Sequence, residues 1–87
     1  MMTYKISIEK KALKFIMSQP KNQQARIFKA IHKLPAGSIK AVQGYDNLFR
    51  LRVGDYRFIF TITPETETLS LINVTDAGNR GQIYNNY

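Results

Sequence analysis

LFRLRVGDYRFIFTI, residues 48–62, places two runs of alternating side chains on either side of Gly54 and Asp55. A two-residue connection carrying glycine reads as the turn of a β-hairpin, because glycine adopts the positive φ that a primed turn demands. The register follows from the turn. Val53 pairs with Tyr56, Leu51 with Phe58 and Phe49 with Phe60, so these six apolar side chains share one face and form a core surface. The opposite face carries Arg52 across from Arg57, with Arg50 two residues along and across from Ile59. Three guanidinium groups on one sheet face repel one another, which argues for an anion site there rather than a merely solvated surface.

Upstream, Tyr4, Ile6 and Ile8 alternate with Thr3, Lys5 and Ser7, and predict a short N-terminal strand. Ala12, Leu13, Ile16 and Met17 then recur at helical spacing until Pro20, and a second helix is expected over residues 20–34, with Gln24, Ile27, Phe28, Ile31 and Leu34 on one face. This helical hairpin packs on the Phe49 and Phe60 face. Residues 36–47 show neither period and read as a connecting loop, with Ile39 and Val42 tucked under the sheet. His32, beside the core stripe, reads as a structural or solvent-edge histidine.

Downstream, residues 63–67 form a turn and residues 68–75 a strand that is apolar on both faces, as a strand covered on two sides would be. On this reading Leu69 and Leu71 face one way, while Ile72 and Val74 join Ile59 in a small second core beneath the arginines. Residues 76–81, DAGNRG, read as a turn. Residues 82–87 form a last helical turn or tail that covers the second core and carries Tyr84.

The 87 residues make one small domain, 1–87, with a formal charge of +7 that matches an acidic partner or a nucleic acid. There is no cysteine, which excludes disulfides, thiolate metal sites and cysteine nucleophiles, and His32 alone cannot anchor a metal. No apolar run approaches the roughly 18 residues of a membrane span, so no membrane partner is expected and the cytoplasm is the expected location.

The order β-α-α-β-β-β-α, together with FRLRVGDYRFIF and AGNRGQIY, resembles the RelE/ParE superfamily of type II toxin–antitoxin toxins over residues 4–84. The resemblance implies a small α+β fold with an N-terminal strand, a helical hairpin, a three-stranded antiparallel meander and a short C-terminal helix or tail. RelE-type members are endoribonucleases that cut mRNA in the ribosomal (30S) A site, whereas ParE-type members poison DNA gyrase. The RelE-type pattern has two basic residues one apart on the strand entering the hairpin, matched by Arg50 and Arg52. An arginine on the next strand is matched by Arg57, one after the glycine turn by Arg80, and a tyrosine four residues beyond by Tyr84. Two positions depart from it. Arg50 and Arg52 stand where the family often has lysines and are poor bases, and Asn79 stands where many members carry His or Lys.

The chemistry so implied is metal-independent and needs no cofactor: the RNA's own 2′-OH attacks the adjacent phosphate. Arg57 and Arg80 would hold the scissile phosphate and neutralise its growing charge. Arg50, Arg52 and Asn79 would contact the flanking RNA, while Tyr84 would either stack on a base or cap the second core. The partners implied are a cognate acidic antitoxin, mRNA on the ribosome, and operator DNA reached only through the antitoxin. Two other readings stand beside this one, a ParE-like gyrase inhibitor and an inactive toxin homologue serving as corepressor with its antitoxin.

Overall fold

The computed structural model describes residues 2–79. In chain order these form β1 (Thr3–Ile8), α1 (Lys10–Met17), α2 (Lys21–His32), β2 (Ile39–Ala41), β3 (Phe49–Val53), β4 (Tyr56–Pro64) and β5 (Leu69–Asn79). The helices arise where the spacing of apolar residues predicts them. Ala12 and Ile16 of α1 and Ile27 and Ile31 of α2 are buried, and Pro20, which has no N–H to leave unpaired, stands at the N-cap of α2. Gln24 ties the two together, its Nε2 donating to the carbonyls of Gln19 at 2.8 Å and Met17 at 3.2 Å, otherwise orphaned at the end of α1. His32 is exposed and its Nδ1 donates to the Phe28 carbonyl at 2.8 Å, a local structural role.

The five strands make one mixed sheet in the order β1-β5-β4-β3-β2, with β1 parallel to β5 and every other pair antiparallel. Both helices lie on one face. The hairpin register is the expected one at all five pairs from Phe49 with Phe60 to Val53 with Tyr56. Leu51, Val53, Phe58 and Phe60 are buried with the helix residues in one core, and the Phe49 and Phe60 rings stack at 5.6 Å between centroids.

Four expectations are corrected. The loop over residues 36–47 contains β2, which adds a strand to the meander by pairing Ile39 with Leu51 and Ala41 with Phe49. Asp76 to Asn79 are not a turn but the end of β5, held there by pairing with β4 as far as Asn79 opposite Tyr56. Tertiary pairing overrides the turn propensity of DAGN, since Ala77 N–H also donates to the Asp76 carboxylate at 2.8 Å and Lys11 Nζ lies 3.3 Å from it. Ile72 and Val74 belong to the helix-packed core, opposite Ile62 and Phe60. The second core consists of Ile59 with Val42 and Leu48, so the β2–β3 connection covers it.

A register shift between Ile59 and Phe60 leaves Thr75 as an extra residue in β5, and its Oγ1 donates to the Ile59 carbonyl at 3.4 Å. Such a bulge re-aims the strand beyond it. Here it sets Asp76 opposite Ile59 and Gly78 opposite Arg57, so that the residue facing Arg57 brings no side chain.

Candidate functional site

The strand register builds the site in two rows across the sheet. One row runs Lys40, Arg50, Ile59, Asp76, and the next runs Arg52, Arg57, Gly78. Cross-strand neighbours on one face have Cβ atoms roughly 5 Å apart, so four cations lie within reach of a single phosphodiester and its neighbours. Lys40 is a residue that sequence reasoning missed. It is exposed and directly opposite Arg50, and its place becomes visible only once β2 is known.

The cations differ in setting. Arg57 is 5% exposed, and its Nη1 donates to the carbonyls of Gly54 at 2.8 Å and Tyr56 at 2.9 Å. Its guanidinium is thereby fixed against the turn of its own hairpin. Arg50 is half-buried and Arg52 exposed, with the Arg52 N–H donating to the Ser38 carbonyl at 2.9 Å just before β2 begins. A buried, tethered arginine beside exposed ones is an arrangement that can clamp one phosphate rigidly while adapting to the backbone on either side. Ile59, with Val42 and Leu48 around it, adds an apolar floor beside these charges.

The site residues expected from the sequence are thus partly brought together. Arg50, Arg52 and Arg57 share the face. Asn79 does not join them. It is exposed, pairs with Tyr56 on the helix-packed side, and lines a hollow with Gln23, Arg26 and Asp55. Arg80 and Tyr84, and the helical turn expected over residues 82–87, lie outside the described residues.

Gly54 is the hinge of the site. Its φ of 59° starts the two-residue turn, and a Cβ placed there would lie 2.9 Å from Arg26 Nη1. Gly54→Ala is expected to cost about 1 kcal/mol or more, chiefly through the left-handed backbone, because Arg26 can swing away. Gly54→Asn is expected to cost less, since asparagine tolerates that conformation, and urea unfolding of the two variants measures the difference.

Two helices on one face of a five-stranded mixed sheet match the fold of solved RelE-containing complexes. A chain of the RelB-RelE antitoxin-toxin complex from Methanococcus jannaschii superposes with a TM-score of 0.70 at 24% identity, covering 92% of this chain and 96% of that one. A chain of the archaeal RelE-RelB complex from Pyrococcus horikoshii OT3 superposes with a TM-score of 0.70 at 26% identity, covering 93% and 99%. No family model and no curated protein matches the sequence. The chain therefore has a RelE-like fold over most of its length.

Proposed function

We propose that this protein is the toxin of a toxin–antitoxin pair and that it acts as an endoribonuclease on mRNA held in the ribosomal A site. The observation that carries the proposal is the aligned cation face, Arg50, Arg52, Arg57 and Lys40, on a RelE fold. In the reaction the 2′-oxygen of one nucleotide attacks the adjoining phosphorus. The 2′-O–P bond forms, the P–O5′ bond breaks, the 2′ proton is lost and the 5′-oxygen gains one, leaving a 2′,3′-cyclic phosphate.

Arg57 holds the scissile phosphate together with Arg80. Its tether to two carbonyls means that little reorganisation is needed as charge grows on the phosphoryl oxygens. Arg50, Arg52 and Lys40 hold the adjoining backbone, and Tyr84 stacks on an unstacked base. The two archaeal neighbours are complexes with RelB, which supports an acidic antitoxin as the partner of this +7 chain. Operator DNA is reached through that partner, and the mRNA target places the toxin in the cytoplasm. No helix among the described residues is long and apolar enough to cross a membrane.

Primer extension on cellular mRNA after brief induction tests the proposal. Cuts clustered at a fixed position within codons of translated reading frames are expected. Intact mRNA accompanied by blocked DNA supercoiling would replace this reading with gyrase poisoning.

A further inference from the structure

Beyond the hairpin tip, on the helix side of the sheet, a cleft of about 380 Å³ lies between α2 and the end of β3. Four cations line it, Arg26, Lys29, Lys33 and Arg52, and no carboxylate does. None of the four has an ion pair or a side-chain hydrogen bond among the described residues. Arg26, Lys29 and Lys33 stand at i, i+3 and i+7, one above another on a single face and spread over about 10 Å of helix. Like charges at this spacing repel. The helix dipole accounts for cations in the last turn of α2, but not for Arg26 in its middle or for Arg52 arriving from β3.

The cleft is joined to the arginine face through the hairpin turn. Arg26 lies over Gly54 from one side, while the Gly54 carbonyl accepts from Arg57 on the other. Arg52 belongs to both places, opposite Arg57 in the sheet and in the wall of the cleft. The remaining wall is made of Ala30, Ala36, Gly37, Ser38 and Gly54 together with the buried Leu51 and Val53. Such a wall offers four positive charges and close approach at its small residues. It suits a phosphodiester backbone better than an amphipathic peptide, whose apolar stripe would find Leu13 and Met17, exposed on α1, a better match.

We propose that this cleft is a second phosphate-binding subsite, which takes the single-stranded RNA backbone as it leaves the arginine face and turns round the hairpin tip. The inference rests on the RNA reading of that face. It makes Lys29 and Lys33 binding residues for nucleotides flanking the cleaved one, with Arg52 shared between the two subsites.

The test is fluorescence anisotropy with labelled 2′-O-methyl RNA, which cannot be cleaved because its 2′-oxygen is blocked, at lengths of about four and about twelve nucleotides. The Lys29→Gln/Lys33→Gln variant is compared with Lys10→Gln/Lys14→Gln, which removes the same charge from exposed positions of α1. The cleft variant is expected to bind the long RNA about tenfold more weakly. Its slope of log affinity against log salt should be shallower by about 1.4, the value for two lost contacts to single-stranded RNA. Binding of the short RNA, which fills only the arginine face, should match the wild type, and the α1 variant should match the wild type on both. Equal losses in the two variants, or none in the cleft variant, would overturn the subsite while leaving short-RNA binding, and with it the arginine face, intact. Wild-type protein that binds neither RNA would overturn both readings. A polyglutamate peptide bound through Lys29 and Lys33, with RNA binding unchanged in their absence, would make the cleft a protein-docking surface instead.

Discussion

Arg57→Ala is expected to abolish growth arrest on induction, and Arg80→Ala to do the same. Removing one preorganised cation from a site where charge develops lowers a rate by roughly 10²–10³, enough to take a toxin below the dose that halts growth. Arg57 also has a structural duty, because its Nη1 satisfies the carbonyls of Gly54 and Tyr56. Its loss is expected to cost about 1–3 kcal/mol, a fall of several degrees in Tm for a domain of this size. Arg57→Lys separates the two effects, since it keeps the positive charge but not the planar fork that engages two oxygens at once. Both Arg57 variants should remain folded by circular dichroism, with Arg57→Lys retaining partial toxicity. Arg52→Ala should weaken activity less, because Arg50 and Lys40 contact the same stretch of backbone. A folded, soluble Arg57→Ala protein that still arrests growth would end the phosphate-clamp assignment, and Arg52→Ala as the most damaging change would reverse the allocation of roles.

Purified protein is expected to leave naked RNA largely intact and to cut mRNA on programmed ribosomes. Arginine is a poor base, and a missing general base costs on the order of 10²–10⁴ in rate. Orientation of the attacking 2′-OH must then come from the surface on which the mRNA is already held in line. The measurement is the single-turnover rate on one labelled mRNA with and without ribosomes, expected to differ by about 10³ or more. Efficient cleavage of free RNA at sub-stoichiometric protein would show that this chain carries a complete active site of its own.

The hairpin was legible to the residue because a two-residue turn leaves one register, and parity then assigns every side chain to a face. Elsewhere parity failed for identifiable reasons. β5 has apolar residues at both parities, Leu69 and Leu71 against Ile72 and Val74, so alternation alone does not say which pair meets the helices. Ile39–Ala41 is too short to show a period, and with β2 unseen its Lys40 could not be set beside Arg50. Asp76 to Asn79 have the composition of a turn and became strand only through β4 pairing and the bulge at Thr75. Arg26, Lys29 and Lys33 carry no mark of a cleft in the sequence. Nothing local distinguishes a solvated lysine from one that lines a concavity, because the opposite wall comes from β3, well downstream in the chain.

The place of β5 between β1 and β4 also determines when the fold is complete. β1 has no partner until residues 69–74 arrive beside it, 66 positions later in the chain, and closing so long a loop costs about 4 kcal/mol before any contact repays it. Phe58 and Phe60 sit on the strand that β5 must flank, so a nascent chain stopped short of β5 has neither a closed core nor a supported arginine face. Completing the sheet accordingly depends on strongly non-local pairing, which slows folding. The cation face is therefore complete only when residues 69–79 have paired between β1 and β4.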